Sequence, residues 1–186
     1  MELNSSNAIA QGKLNNAQGH HFEDYIMGGC RQYEAAGIAK FQKTPEPFRV
    51  LRKYRDGTAT VRFTANAEPD FIGCKSDGHL MVFEAKRTLT DKLMQTVITG
   101  QQWKALDKYT EFRAITGVCA GIGDETFWID WGIWTNMKKL YGRKYIRAAD
   151  VQPFKVKFNG SIMFLDYEDS QAANDEIDRL FRLLNM

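Results

Sequence analysis

The sequence predicts an α/β domain in which helices flank a mixed central β-sheet. Two observations predict this class. Short β-branched or alternating segments recur along the chain, and they are interleaved with segments whose apolar residues recur at helical spacing. With 186 residues, 44% of them hydrophobic and 26% charged, the chain is long enough for one domain with a substantial core. We expect a loose polar tail over residues 1–15 and a single domain over 16–186.

The first predicted helix starts at a cap formed by Asn15 or Asn16, runs to about Ala36 and stops at Gly37. A stripe of apolar side chains recurs along it at helical spacing and is expected to be buried. The Gly28-Gly29 pair weakens the middle of this helix and allows another element to pack closely. The stripe consists of Phe22, Ile26, Cys30 and Tyr33.

The later elements follow from alternation, turn residues and helical periodicity. No internal repeat or linker divides them. They are a strand over 38–42, a β-ribbon over 48–65 with its turn at 55–57, a hairpin over 70–86, a mobile loop over 88–99, a helix over 99–109, strands over 113–122 and 126–129, a helix over 131–140, a hairpin of 155–158 with 162–165, and an amphipathic helix over 170–184.

The hairpin that ends at residue 86 brings charged groups together. A three-residue turn over 76–78 places Asp70 opposite Glu84, with their Cβ atoms roughly 4.5–5.5 Å apart. Lys86 lies two residues beyond Glu84 and therefore points to the same face. Two carboxylates placed this close destabilise a sheet unless a cation lies between them. The spacing therefore predicts a metal site.

Carboxylate oxygens are the ligands that Mg²⁺ favours, and Mg²⁺ shares its remaining positions between water and phosphate. A metal between Asp70 and Glu84 would lower the pKa of a bound water and stabilise charge on a phosphoryl group. Lys86 would orient or deprotonate that water, or stabilise the pentacovalent phosphate. The residues thus indicate phosphodiester hydrolysis. A surface cluster of salt bridges is the alternative.

The net charge of +2 does not identify a partner, but the distribution of charge is uneven. The predicted ribbon over 48–65 is basic, and a second basic run over 138–147 contains no acid. Basic side chains on a ribbon would neutralise DNA phosphates and bind in a salt-dependent way. An edge ribbon whose charges oppose aggregation is the alternative. The candidate DNA-binding residues are Arg49, Arg52, Lys53, Arg55 and Arg62.

Cysteine usage and hydropathy indicate the compartment. Cys30, Cys74 and Cys119 are odd in number and widely spaced, which predicts reduced thiols, and we expect all three in the core. No apolar run approaches the length of a membrane span, and the amino terminus lacks a signal-peptide core. We expect a cytoplasmic protein.

Pro69-Asp70 followed by Glu84-Ala85-Lys86 is the signature of the PD-(D/E)xK nuclease superfamily. Its context over residues 17–125 resembles RecU-type Holliday junction resolvases. The motifs that carry this resemblance, in chain order, are Gln18-Gly19-His20-His21-Phe22-Glu23, Tyr33, Gly37-Ile38-Ala39, Pro45-Glu46-Pro47, Asp70-Phe71-x-Gly73, Phe83-Glu84-Ala85-Lys86 and Gln102-x-x-x-Leu106.

The resemblance implies a restriction-endonuclease-like core in which Asp70 and Glu84 hold Mg²⁺, with Mn²⁺ as a substitute. Lys86 would be the catalytic lysine or a transition-state stabiliser. Gln102 would complete the metal site, with Gln101 as the alternative if the register differs by one.

The resemblance also assigns a helix-borne acid, Glu23, that approaches the metal directly or through water. Family members usually carry Ser or Thr just before the aspartate, including a metal-coordinating Thr. This chain has Ala67-Glu68-Pro69 there, so Glu68 is a possible replacement ligand.

The implied substrate is a four-way DNA junction, cut by paired symmetric nicks in recombination and repair. The implied assembly is a homodimer, and residues 48–65 take the place of a stalk that projects into the junction. Two alternatives stay open. The first is another nuclease of this superfamily, of restriction, flap or repair type. The second is a branched-DNA-binding factor without activity, which the intact set of site residues argues against.

Overall fold

The computed structural model describes residues 21–45, 48–63 and 68–185. The strands are β1 (Ala39–Lys43), β2 (Phe48–Lys53), β3 (Ala59–Phe63), β4 (Phe71–Lys75), β5 (Leu80–Thr88), β6 (Lys92–Met94), β7 (Ile115–Ile122), β8 (Glu125–Asp130), β9 (Tyr145–Arg147), β10 (Val156–Phe158) and β11 (Ile162–Tyr167). The helices are α1 (residues 21–35), α2 (Gly100–Glu111), α3 (Trp131–Thr135), α4 (Met137–Tyr141) and α5 (Ser170–Asn185). Short 3₁₀ turns occupy Gln95–Val97, Ala148–Asp150 and Gln152–Phe154.

A five-stranded sheet in the order β1-β4-β5-β7-β8 forms the centre. Strands β5 and β7 are parallel, and the other neighbours are antiparallel. A parallel pair requires a crossover connection, and here that connection carries α2 back over the sheet. The predicted class, a mixed central sheet flanked by helices, is confirmed.

The register of the β4–β5 hairpin agrees with the prediction. Phe71 pairs with Phe83 and Ile72 pairs with Val82. At the turn, the Lys75 N–H donates to the His79 carbonyl over 3.0 Å. A three-residue connection of this kind needs one residue in the left-handed region, and Gly78 supplies it with φ of +87°.

The sheet is covered on both faces, as alternation along the strands shows. Val82, Val118 and Phe127 belong to a buried cluster that also contains residues of α2 to α5. Their neighbours point the other way, into a cluster with α1 and β11, and all of them are buried. Members of this second cluster include Phe83, Cys119, Trp128, Ile162 and Phe164.

The predicted stripe on α1 is confirmed: Phe22, Ile26, Cys30 and Tyr33 are at most 3% exposed. The helix ends at residue 35, and Gly37 follows with φ of +67°. The proposed caps Asn15 and Asn16 and the predicted tail over residues 1–15 lie outside the described residues.

The mobile loop predicted over 88–99 is wrong. This segment contains β6, which pairs with β9, followed by a 3₁₀ turn. Leu93 and Ile146 anchor the two strands in the core, at 1% and 0% exposure. Buried Gln95 donates its side-chain amide to the Trp134 carbonyl over 2.7 Å. Three-residue strands are too short to show alternation, so no pattern in the sequence signals them.

Two smaller predictions are also corrected. The helix expected over 131–140 is two helices that meet at Asn136, whose side chain donates to the Gly132 carbonyl over 2.9 Å. Cys74 is exposed, whereas Cys30 and Cys119 are buried as expected.

The predicted basic ribbon is present as the β2–β3 pair, a two-stranded sheet outside the central one, with a bulge between Val50 and Arg52. Within the part of the chain that the structure describes, no helix is long and apolar enough to cross a membrane.

The glycine pair in α1 permits the close approach of β11. A Cβ at Gly29 would overlap the backbone carbonyl oxygen of Ile162, and one at Gly28 would meet the Ser161 side chain. We expect Gly29→Ala to lower the free energy of unfolding by about 1–3 kcal/mol, because backbone atoms must shift. Urea denaturation would measure this loss.

Gly28→Ala is the matched control, since the overlapping Ser161 Oγ can rotate away and the Ser161 Cβ, at 3.0 Å, has to move only slightly, while alanine favours the helix by up to about 1 kcal/mol. The decrease in the free energy of unfolding should be smaller for Gly28→Ala than for Gly29→Ala. Equal stabilities of Gly29→Ala and wild type would contradict the packing of α1 on β11.

Candidate active site

The structure brings Asp70 and Glu84 together at the open end of the β4–β5 hairpin. Buried Pro69 leads into β4, and Asp70 immediately precedes it. The Asp70 N–H donates to Glu84 Oε2 over 3.2 Å, and the Ala85 N–H donates to Asp70 Oδ2 over 3.0 Å. Each carboxylate is therefore held by the backbone of the other strand.

Lys86 lies on the same face of β5 as Glu84, and its Nζ donates to Glu84 Oε1 over 2.7 Å. The Glu84 side chain has no exposed surface, whereas that of Lys86 keeps 22%. A buried carboxylate requires pairing, and Lys86 supplies the partner from a side chain that is still partly exposed.

Gln102 enters the site from the first turn of α2. Its Nε2 donates to Glu84 Oε1, and its Oε1 accepts from the Thr99 N–H over 3.0 Å. Thr99 Oγ1 accepts from the Gln102 N–H over 3.3 Å, which completes a capping box. Gln101 is exposed. The helix register thus brings Gln102 to the carboxylates and leaves Gln101 outside.

Burial raises the pKa of Glu84 to about 7, and the charge of Asp70 adds to the rise while Lys86 opposes it. A buried carboxylate beside a second one is the electrostatic situation that a divalent cation relieves. The donor set of hard oxygens fits Mg²⁺ or Mn²⁺.

Within the described ranges no group of three or more His, Cys, Asp or Glu side chains could hold a metal. Asp70 and Glu84 are thus the carboxylates that would hold a cation here, and other oxygen donors, such as water or phosphate, would fill its remaining positions. This is the ligand pattern that Mg²⁺ adopts with phosphate substrates.

Glu23 lies on α1, which packs against the sheet face opposite α2. It forms an ion pair with Lys43 at the end of β1. The Lys43 pKa is raised by its hydrogen bond to Glu23 and, to a lesser degree, by the charges of Asp70 and Asp24. Lys43 is therefore bonded to the helix acid and close enough to Asp70 to feel its charge.

Sequence reasoning missed Lys43. The sequence feature that could have identified it is its position at the end of β1, the strand that pairs with β4.

Glu68 is exposed, and it accepts a long hydrogen bond of 3.5 Å from the Tyr109 hydroxyl on α2. Glu68, which lies two residues before Asp70, therefore points toward α2.

The ribbon presents its basic residues to solvent. Arg49 pairs directly with Arg62, and Arg52, which follows the bulge, pairs with Thr60. The Arg52 guanidinium lies 5.3 Å from the centre of the Tyr54 ring. Lys53 and Arg55 are exposed at the tip. Two arginines directly opposite each other are unfavourable unless an anion lies between them.

No curated protein sequence matches this chain. The structure of Hjc, a Holliday junction resolvase from Archaeoglobus fulgidus, aligns at 14% identity over 70% of this chain and 88% of that chain, with a TM-score of 0.37.

A family model described as Recombination protein U, RecU, matches residues 17–170. This match spans most of the chain, including every site residue named above. The protein belongs to the RecU family.

Proposed function

We propose that this chain, a Holliday-junction endonuclease by family, cuts DNA with a divalent metal held by Asp70 and Glu84. The observation that carries the proposal is the cluster of Asp70, Glu84 and Lys86, with Gln102 bonded to Glu84. A single nuclease domain over residues 16–186 would supply the site, and its free cysteines favour a reducing compartment such as the cytoplasm.

When bound, a divalent metal lowers the pKa of a coordinated water and neutralises charge on the scissile phosphate. Asp70 and Glu84 would hold it with one carboxylate from each strand. Gln102 would orient Glu84, because its amide donates to Oε1 while the Thr99 backbone fixes that amide from the other side.

Lys86 is the one cation bonded to Glu84 in the described part of the chain. Its ammonium lies on the same face of β5 as the Glu84 carboxylate and would orient the attacking water or stabilise the negative charge that develops on the phosphate.

The β2–β3 ribbon would bind DNA phosphates at the branch point. The opposed pair Arg49 and Arg62 and the nearby Arg52 offer three guanidinium groups on the ribbon. Symmetric cleavage needs two sites, so we propose a homodimer that cuts two strands of one junction.

Substitution of a metal carboxylate tests the mechanism. We expect Asp70→Asn to slow cleavage of a synthetic four-way junction in Mg²⁺ by about 10²–10³-fold, the reduction typical of removing one strong electrostatic interaction. Lys86→Ala should slow it by a similar factor. Gel assays of cleavage and anisotropy assays of binding should show that both variants stop cutting while they retain affinity.

Asp77→Asn is the matched control, because Asp77 lies in the exposed turn of the same hairpin and the substitution removes the same charge. It should cut like wild type. Undiminished cutting by both Asp70→Asn and Lys86→Ala would refute the mechanism. Faster cutting of flap, nicked or linear duplex than of the junction would assign the site to a different nuclease substrate.

Metal binding can be measured apart from activity. Isothermal titration with Mn²⁺ should show binding to wild type and to Glu68→Gln, and at least about tenfold weaker binding to Asp70→Asn and Glu84→Gln. A tenfold reduction corresponds to about 1.4 kcal/mol. Weaker binding in Glu68→Gln alone would move the metal site from Glu84 toward Glu68.

The ribbon is tested through salt dependence. The double variant Arg49→Ala, Arg62→Ala should reduce the slope of log K against log salt for junction binding by about 1.8, because each phosphate that the protein no longer neutralises lowers the slope by about 0.9. Arg31→Ala, Lys157→Ala removes two exposed cations from α1 and β10 and should keep the wild-type slope. Equal slopes for both double variants would exclude the ribbon from the DNA interface.

A further inference from the structure

The small β6–β9 sheet, which the sequence did not predict, carries positive charge on its outer side. Leu93 and Ile146 point inward and are fully buried. Alternation along both strands therefore directs their neighbours outward. We call this outer side the β6–β9 cationic face; it consists of Lys92, Arg143, Tyr145 and Arg147.

The cations of this face surround one aromatic ring, that of Tyr145. The cationic groups of Lys92, Arg143 and Arg147 lie 5.5, 4.8 and 5.8 Å from the centre of the Tyr145 ring. A cation within about 6 Å of a ring face is attracted to it. Three like charges are thus held around a single side chain.

Cross-strand pairing concentrates the charge further. Lys92 pairs directly with Arg147, and like charges directly opposite each other destabilise a strand pair. The same arrangement, two opposed cations on an exposed two-stranded ribbon, occurs at Arg49 and Arg62. A polyanion that bridges the two charges turns this repulsion into attraction.

Among the described residues, Asp150 and Asp91 form ion pairs with cations of this face. Asp150 binds the Arg143 guanidinium and accepts from the Arg147 N–H over 2.7 Å. Asp91 lies 3.5 Å from Arg147 Nε in a pair that is more than half exposed. An exposed pair of this kind contributes little and exchanges readily, so Arg147 and Lys92 can accept an external anion.

The face lies close to the candidate active site. β6 begins six residues after Lys86, so the two Cα atoms are at most about 20 Å apart even along a fully extended chain. Leu93 packs in the cluster that contains Leu106 of α2, which places β6 on the same side of the sheet as Glu84 and Gln102. A distance of about 20 Å corresponds to about six base pairs of duplex at 3.4 Å each.

We propose that the β6–β9 cationic face binds backbone phosphates of a duplex DNA arm within about six base pairs of the scissile phosphate. This inference rests on the proposed nuclease function. Lys92 and Arg147 make the phosphate contacts, and Tyr145 positions them. The ribbon would then contact the branch point while this face holds the arm that is being cut.

The test compares two binding measurements in a cleavage-inactive Asp70→Asn parent. The first is the slope of log K against log salt for binding to a four-way junction. The double substitution Lys92→Ala, Arg147→Ala should reduce this slope by about 1.8. Between 50 and 200 mM salt, the affinity advantage of the parent over this variant should shrink roughly tenfold. Arg31→Ala, Lys157→Ala in the same parent is the control that removes equal charge, and it should leave the slope unchanged.

The second measurement replaces the phosphates about two to six nucleotides from the cut site by neutral methylphosphonates. The parent should bind this junction several-fold more weakly than the unmodified one, and the Lys92, Arg147 variant should bind both alike. The parent's response does not depend on how the variant folds. The ribbon variant Arg49→Ala, Arg62→Ala should still respond to the modification.

The outcomes separate the two proposals. If the parent binds the modified junction as tightly as the unmodified one, the arm contact is overturned and the proposed nuclease function is unaffected. An unchanged salt slope in the Lys92, Arg147 variant would do the same. A parent that binds no junction at any salt concentration would overturn both.

Discussion

The burial of Glu84 is the constraint on which the site depends. Its carboxylate has no exposed surface and accepts from three donors: Lys86 Nζ, Gln102 Nε2 and the Asp70 N–H. These donors come from β5, from α2 and from the residue before β4. Because a buried charge is tolerated only when it is paired, this one carboxylate aligns all three elements.

The topology explains how the donors reach it. β5 and β7 are parallel, so the chain must cross over the sheet between them, and α2 is that crossover. The capping box between Thr99 and Gln102 fixes the first turn of the helix. The amide that caps the helix therefore also contacts the buried carboxylate, and helix position and site geometry are set together.

Much of the site follows from local rules. The turn over 76–78 and the alternation of two strands are sufficient to place Asp70 opposite Glu84 with Lys86 on the same face. The stripe on α1 and the presence of the β2–β3 ribbon, predicted over 48–65, follow from periodicity and turn residues in the same way. The β6–β9 pair does not, because its strands have three residues each and lie about fifty positions apart. Pairing at that separation is decided by the burial of Leu93 and Ile146.

The contrast between Gln101 and Gln102 shows where sequence information ends. The sequence by itself determined the hairpin register, the identity of the paired carboxylates and the buried stripe on α1, since each depends on neighbours along one or two elements. Only the tertiary structure decided which glutamine reaches Glu84, that Glu23 binds Lys43, and that Lys92 and Arg147 face each other. These contacts depend on how separate elements pack, and packing is set by the total shape of the core.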